Sequence, residues 1–200
     1  MDIRFIAIER EYGSAGTAIG KETARRCGIA CYGREVMEMV AREQQISVEA
    51  LEDYEETVSG SLLYSLFVMS QSQTGDPDLV SGESKLDVAE SRQIRHLSRS
   101  GPAIFVGHCA VKALEGEQGV LRVFIHGSEE DKHRRISRDY GIPQAEVVST
   151  CRRINKRRAN YYSFCLKKAW NDYKNYDLVL DSSTLGIEGC VQVLSSLLQK

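Results

Sequence analysis

The chain has 200 residues, of which 42% are hydrophobic and 27% are charged, and its net charge is −2. These values exclude a disordered chain and fit one globular domain, residues 1–200, with its own core. No apolar run reaches the roughly 20 residues of a membrane-spanning helix, and the start, MDIRFIAIERE, lacks the features of a signal peptide. We therefore expect a cytoplasmic protein with no membrane partner.

The first third of the chain predicts a strand followed by three helices. Ile3–Ile8 is a short apolar run with the composition of a buried strand, and it ends in a glycine-containing turn. Thr17–Cys27 has the pattern of a helix closed by Gly28. A second helix is expected from Glu35, and Ser47 is a suitable N-cap for a third helix that ends at Glu56.

The segment that follows allows two interpretations. An amphipathic helix is expected over Leu62–Met69 and a loop over Gln73–Ser84, which contains Gly75, Asp76, Pro77 and Gly82. The segment is either an insertion that binds an acceptor or the contact surface of a homodimer. In the second case, the contact would involve Leu62, Leu63, Leu66 and Phe67.

The remainder of the chain alternates helices with strands. Strands are expected at three apolar runs, namely Ala103–Val106, Leu121–Ile125 and Asp177–Leu180. Helices are expected between and beside them, namely Lys85–Arg99, Ser128–Tyr140, a long helix with Pro143 in its first turn that continues to about Lys168, and Gly186–Leu198. Such alternation predicts an α/β three-layer sandwich with a mostly parallel sheet, which binds ligands at the carboxyl ends of its strands.

The six cysteines are expected to be free, buried thiols. No C-x-x-C pair occurs, and the four histidines are not spaced with them as zinc ligands are. The cysteines stand singly along the sequence, at Cys27, Cys31, Cys109, Cys151, Cys165 and Cys190. We expect no metal site formed by the protein alone.

The turn after the first predicted strand is a candidate phosphate-binding loop. Small residues allow backbone N–H groups to point at an anion, and the following helix N-terminus favours negative charge. The candidate residues are Gly13, Ser14, Ala15, Gly16 and Thr17. The alternative is a tight turn without a ligand, because the Walker pattern G-x-x-x-x-G-K-[ST] is absent. Lys21 lies a turn inside the helix and is expected to be a solvated surface residue.

The long helix is expected to be strongly basic. Between Lys132 and Lys168 there are eleven Lys or Arg and two acids, which indicates a surface directed at an anion. A basic lid that closes over nucleotides would provide charge and exclude water. A solvated basic face is the alternative for any single residue. Nucleic-acid binding is the weakest interpretation, because no recognition motif accompanies the charge and the pI is about 6.1.

Several stretches of the sequence resemble the cytidylate kinase-like family. The opening IAIEREYGSAGTAIGKETA resembles the family's strand and S-R-E-Y-G-S-G-G loop, and further stretches follow in the family's order. They are YGREVMEMV, VAESRQIRHL, GPAIFVGHCA, LRVFIHGSEEDKHRRI, INKRRANYY and NYDLVLDSSTLGIEG. The resemblance implies a P-loop nucleoside monophosphate kinase fold. Its core would comprise about 1–30, 85–130 and 176–200, with an acceptor-binding insertion at 31–84 and a helical lid at 140–172.

The resemblance also implies roles for particular residues. ATP and Mg²⁺ would be the cofactors, and nucleotides would be the binding partners. Arg153, Arg157 and Arg158 would act catalytically from the lid, with Arg158 an exposed charge. The residues that would bind the acceptor are Tyr32, Arg34, Arg92, His108 and Asn155.

The sequence departs from the family pattern where charge is needed. Gly16 stands at the position of the Walker lysine, Gly33 and Asn155 replace aspartates, and His108 replaces an arginine. A neutral histidine offers phosphate one donor where a guanidinium offers five. The leading hypothesis is a kinase that transfers the γ-phosphoryl of ATP to a nucleoside monophosphate or a similar small phosphorylated acceptor. The alternative is a nucleotide-binding sensor or partner module that has lost turnover.

Overall fold

The fold is built on a central parallel sheet. The computed structural model describes residues 2–45, 47–48 and 85–198. Its five strands are hydrogen-bonded in the order β2-β3-β1-β4-β5, and every pair is parallel. The strands are β1 (Phe5–Arg10), β2 (Ala30–Tyr32), β3 (Ala103–Val106), β4 (Val120–His126) and β5 (Leu178–Asp181).

Helices connect consecutive strands and cover both faces of the sheet. The helices are α1 (Gly16–Cys27), α2 (Arg34–Gln44), α3 (Lys85–Ser98), α4 (Ala110–Ala113), α5 (Glu129–Tyr140), α6 (Gln144–Leu166) and α7 (Gly186–Leu198). A 3₁₀ turn, Tyr173–Asn175, precedes β5. This is the three-layer α/β arrangement that the alternation of elements predicts.

Alternate residues of the strands supply two separate cores. Ile6 and Ile8 of β1 pack with Ile19 of α1 and Leu194 of α7 on one face. Phe5 and Ala7 point to the other face, where helices α2, α3 and α4 supply the apolar partners Val36, Ile94, Leu97, Ala110 and Ala113. Since parallel strands are covered on both faces, β1 is buried along its apolar length.

The predicted elements of the described chain are confirmed with small shifts, and one strand was not predicted. The prediction for α7 matches its bounds, and α5 begins at an N-cap Ser128 whose Oγ accepts from the Asp131 N–H at 3.2 Å. Pro143 lies at the N-cap of α6 rather than in its first turn. β2 has only three residues, too few for a periodic pattern. The predicted elements at Ser47–Glu56, Leu62–Met69 and Gln73–Ser84 lie outside the described residues, apart from residues 47 and 48.

The six cysteines form no disulfide, as the sequence predicts. Cys109, Cys151, Cys165 and Cys190 are buried, whereas Cys27 and Cys31 are only partly buried. Within the described ranges, no helix has both the length and the apolar character needed to span a bilayer. The cytoplasmic location stays a prediction.

Gly20 sets the distance between α1 and the sheet. A Cβ atom added to Gly20 would lie 3.0 Å from Val106 Cγ2 and 3.2 Å from Ile8 Cδ1. The adjacent Lys21 has a side chain that is 60% exposed and lies 3.8 Å from Glu35. The sequence Gly20-Lys21 therefore serves helix packing, and Lys21 is the surface residue that was expected.

We predict that Gly20→Val lowers the free energy of unfolding by about 1–3 kcal/mol, because the added methyl groups overpack the α1–sheet contact. Lys21→Ala is the matched control, and it should stay within about 0.5 kcal/mol of the wild type. Urea unfolding measures both values. Equal stability of Gly20→Val and the wild type would show that α1 is free to move away from the sheet.

Candidate functional site

The turn between β1 and α1 has the backbone shape of an anion-binding loop. Gly13 and Ala15 both have positive φ, 79° and 61°. Between them Ser14 is buried, and its Oγ donates to the Glu11 carbonyl at 2.8 Å. The positive φ at Ala15 is costly for a residue with a side chain, so the surrounding structure must impose it.

Most backbone amides of this loop donate no hydrogen bond within the described residues, although the Ser14 N–H donates to the Glu11 carbonyl at 3.3 Å. None of the hydrogen bonds in the described part of the protein takes the N–H of Gly13, Ala15, Gly16 or Thr17 as its donor. The last two open α1, where the helix dipole adds partial positive charge. Unpaired amides at a helix N-terminus form a binding site for phosphate or carboxylate oxygens.

Helix α5 holds the loop from outside. A Cβ atom on Gly13 would lie 2.7 Å from the Lys132 carbonyl oxygen, so the two backbones are in direct contact. The side chain of Lys132 is buried, and its Nζ lies 2.8 Å from Glu11 Oε2 and 2.5 Å from Glu129 Oε1. Arg135 donates to the Gly13 carbonyl at 3.2 Å.

Helix α6 is also attached to the loop. The Tyr12 N–H donates to Asn155 Oδ1 at 2.7 Å, and Arg158 Nη1 donates to the Arg10 carbonyl at 2.9 Å. The Arg158 guanidinium also lies over the Tyr12 ring, 5.7 Å from its centroid. Helix α6 therefore covers the loop in this structure, and Asn155 positions the loop backbone.

A cleft of about 500 Å³ opens between the end of β1, α6 and the segment that follows β3, and none of Gly13–Thr17 is among its lining residues. Its polar lining contains four arginines and a histidine against one carboxyl group, which gives it a strongly positive character. The lining residues are Glu9, Arg10, Tyr12, Arg34, Met37, Gly107, His108, Cys109, Ile154, Arg157, Arg158, Tyr161 and Tyr162.

The three predicted catalytic arginines take different positions. Arg157 and Arg158 line the cleft and are half-buried, whereas Arg153 is exposed and is not among the lining residues. The expectation that Arg158 is an exposed charge is wrong, because its guanidinium is bound to the loop backbone and to the Tyr12 ring. Adjacent positions on one helix point in different directions, so a run of basic residues cannot all face one cleft.

His108 is held at the cleft by a buried carboxyl group. Its Nδ1 lies 2.7 Å from Glu90 Oε1, and Glu90 on α3 is fully buried. The Tyr161 hydroxyl donates to the other oxygen of Glu90. His108 and Cys109 both have positive φ, 56° and 47°. This network fixes the orientation of the His108 ring.

The other predicted acceptor residues are only partly brought together. Arg34 at the start of α2 lines the cleft. Tyr32 stacks on Phe105 with ring centroids 5.5 Å apart. Arg92 lies 3.0 Å from Glu43, and 64% of its side chain is exposed. Neither Tyr32 nor Arg92 is among the residues that line the cleft.

Two charged residues of the cleft, Glu9 and Arg10, were not predicted from the sequence. They form the end of β1, two residues beyond the predicted strand. Glu9 is 5% exposed, and its Oε2 accepts from Trp170 Nε1 at 3.1 Å. A charged pair that follows an apolar parallel strand lies at the ligand-binding edge of the sheet, and this signal could have identified both residues.

Burial raises the pKa of Glu9 above its ordinary value of 4.5, although Arg10, the Trp170 hydrogen bond, Arg158 and His108 act in the opposite direction. An acid whose pKa is raised by folding prefers to be protonated in the folded state. Its ionisation therefore costs stability as the pH rises from 4.5 through the folded-state pKa.

The fold and the loop define a kinase-like P-loop protein. A model of the cytidylate kinase-like family matches residues 5–184. That range is most of the chain, so this protein belongs to the cytidylate kinase-like family, as its sequence motifs indicated. Among curated proteins, none matches the chain.

Solved structures share the fold. An uncharacterized protein from Eubacterium ventriosum superposes with a TM-score of 0.72 at 19% identity, over 100% of this chain and 99% of that one. A shikimate kinase from Bacteroides thetaiotaomicron superposes with a TM-score of 0.54 at 14% identity, over 98% of each chain. At these identities the similarity establishes the α/β kinase-like fold alone.

We predict that Glu9→Gln raises the free energy of unfolding relative to the wild type, and that this gain is larger at pH 7 than at pH 4. The amide still accepts from Trp170 but carries no charge to bury, and each unit of displaced pKa corresponds to about 1.4 kcal/mol. Chemical denaturation across this pH range measures the difference from the wild type, which should grow as the pH rises. Glu188→Gln is the control, since Arg26 lowers the pKa of that exposed carboxyl group. A pH-independent difference for Glu9→Gln would contradict the prediction.

Proposed function

We propose that this protein is a phosphotransferase that moves the γ-phosphoryl group of ATP to a nucleoside monophosphate or a similar small phosphorylated acceptor. The observation that supports this most directly is the loop Gly13–Thr17, in which the N–H groups of Gly13, Ala15, Gly16 and Thr17 donate no hydrogen bond within the described residues. The loop adjoins Arg10 and Tyr12, which line the cleft together with three further arginines. Phosphoryl transfer requires positioning and positive charge more than covalent chemistry, and both are concentrated here.

In this proposal the nucleotide phosphates bind the loop amides and the N-terminus of α1. Arg157 and Arg158 act from α6 on the charge that spreads over the transferring group. Residues 140–172 serve as the lid, in which α6 carries these two arginines and covers the loop. Arg153 stays a predicted lid residue, although it does not line the cleft.

Mg²⁺ would neutralise charge between the nucleotide phosphates. Thr17 is the last residue of the loop and lies in the first turn of α1, where its hydroxyl would reach the metal-bound phosphates. The nearby carboxyl groups are otherwise engaged, since Glu11 is paired with Lys132 and Glu9 is buried against Trp170. The chain therefore fits a metal ion that arrives with the nucleotide.

The acceptor would bind on the opposite side of the cleft, near Arg34 and His108. A guanidinium can clamp a phosphate through two hydrogen bonds, which suits Arg34 to an acceptor phosphate. Glu90 fixes the ring of His108 so that it can act on the acceptor. Asn155 would act indirectly, by positioning the backbone at Tyr12, and Tyr32 would act through its contact with Phe105 of β3. Arg92 would have to leave Glu43 to bind the acceptor. The insertion at 31–84 lies largely outside the described residues.

The second candidate function is nucleotide binding without turnover, as a sensor or partner module. Gly16 at the Walker lysine position favours it, because this glycine removes a cation that the reaction normally uses. Thermal unfolding with Mg²⁺ and a panel of nucleoside mono-, di- and triphosphates separates the two functions.

We expect ATP and one monophosphate each to stabilise the protein, by about 2.7 kcal/mol at a concentration 100-fold above the dissociation constant. Stabilisation by triphosphate alone, with no transfer of labelled γ-phosphoryl, would favour the sensor. The absence of any shift would mean that the loop is only a turn, which overturns both functions.

We predict that Arg157→Met lowers kcat by about 10³-fold, as expected for an arginine that stabilises the transferring phosphoryl group. Met retains the packing of the side-chain stem, so the melting temperature should change little. Arg152→Met, an exposed residue on the same helix, is the matched control with the same loss of charge. Equal turnover in both variants would exclude Arg157 from catalysis.

A further inference from the structure

Arg10 is the last residue of β1, three residues before the loop Gly13–Thr17. It stands where the Walker pattern G-x-x-x-x-G-K-[ST] has its first glycine. Its side chain lines the cleft between the loop and the end of β3. The Gly-rich loops of P-loop proteins place a lysine six residues further on, and that lysine reaches the β- and γ-phosphates. Here the corresponding residue is Gly16, which has no side chain.

The stem of Arg10 fills the space that a residue at position 16 would use. A Cβ atom added to Gly16 would lie 2.5 Å from Arg10 Cβ and 2.9 Å from Arg10 Cγ. Such distances do not occur between real side chains, so a lysine at position 16 and the present Arg10 exclude each other. The absence of a lysine at position 16 is therefore what allows Arg10 to take its present position.

The other end of the side chain lies against a second glycine. A Cβ atom on Gly107 would lie 2.2 Å from Arg10 Nη1 and 3.1 Å from Arg10 Cζ. Gly107 has a positive φ of 81° and follows β3, next to His108. The guanidinium thus lies against the Gly107 backbone, between the phosphate loop and the His108 side of the cleft.

Among the residues that the structure describes, no acceptor is hydrogen-bonded to this guanidinium. In the described ranges, no hydrogen bond or ion pair is made by the Arg10 side chain, and its Nε is buried without a partner. A guanidinium carries five donors, and a buried donor without an acceptor is unfavourable. By contrast, Arg135, which also contacts the loop, donates to Gly13 and Ser182.

We propose that Arg10 binds the terminal phosphates of the bound nucleotide and replaces the lysine that Gly16 lacks. An arginine at this point forms two parallel hydrogen bonds to one phosphate, where a lysine supplies a single point of charge. The cation therefore comes from the end of β1, before the loop, and not from the helix that follows it.

This inference rests on the proposed function, since it assigns the phosphate that Arg10 binds to a nucleoside triphosphate. The test uses two probes, Mg²⁺–ATP and inorganic triphosphate, so that recognition of phosphate is separated from recognition of the nucleoside. The variants are Arg10→Met, which retains the length of the stem, and Arg25→Met as a matched control. Arg25 is an exposed residue of α1 that is paired with Glu22.

Isothermal titration should show that Arg10→Met weakens the binding of both probes by about 10- to 100-fold, the loss expected for a hydrogen-bonded charged contact. The binding of AMP, which lacks the terminal phosphates, should change far less in the same variant. Arg25→Met should bind all three ligands as the wild type does. A melting curve of Arg10→Met then separates loss of binding from loss of folding.

A second test moves the cation from position 10 to position 16 and measures a gain in affinity instead of a loss. Gly16→Lys alone should lose binding, because its Cβ meets Arg10. The double variant Arg10→Gly/Gly16→Lys removes that contact and returns a cation to the loop. We expect it to recover at least 10-fold in triphosphate affinity over Arg10→Gly alone. Glycine is needed at position 10 because even an alanine would keep the conflicting Cβ.

The outcomes separate this inference from the proposed function. If Arg10→Met binds ATP as tightly as the wild type, Arg10 has no role in phosphate binding, while the proposed function stands. If inorganic triphosphate binds through Arg10 and ATP does not bind, the phosphate site stands and the nucleotide proposal fails. If the wild type binds neither probe, both are overturned.

Discussion

The contact between two backbones, at Gly13 in the phosphate loop and Lys132 in α5, is the constraint on which the site depends. The loop has to turn sharply from β1 into α1, and Gly13 allows α5 to approach closely enough to hold that shape. The buried Lys132 then needs the carboxyl groups of Glu11 and Glu129, because an unpaired ammonium group in this position would be unstable. The shape of the loop, the position of α5 and the ion pairs of Lys132 therefore depend on one another.

The cleft concentrates positive charge while it retains one buried carboxyl group. Four arginines around a small volume repel one another, and Glu9 beneath them offsets part of that repulsion at the cost of its own desolvation. Trp170 supplies the hydrogen bond that makes this burial tolerable. Such an arrangement is less stable than an apolar core would be, as is common where a fold is adapted to bind a ligand.

The sequence predicts the layered fold well because its apolar runs and caps are local signals. Ala103–Val106 and Gly186–Leu198 match their observed bounds, and the phosphate loop follows from glycine spacing at a strand end. β2 escaped prediction because three residues carry no periodicity. Within the site, Arg157, Arg158, Arg34 and His108 were identified from motif order. The place of Arg10 at the ligand-binding edge of the sheet could have been predicted, but its contacts with Gly16 and Gly107 could not. These glycines are distant in sequence and meet the same side chain only through the parallel pairing of β1 with β3.

The hydrogen bond between the Tyr12 amide and Asn155 gives α6 a mechanical link to the loop. A helix that covers a cleft through side chains alone can swing away and leave the cleft floor unchanged. Here the same displacement would also break the hydrogen bond that the Tyr12 main-chain N–H donates to Asn155. It would likewise break the hydrogen bond from Arg158 to the Arg10 carbonyl. The Tyr12 N–H and the Arg10 carbonyl would then need water as a hydrogen-bond partner. A displacement of α6 would consequently also change the hydration of the backbone at Arg10 and Tyr12.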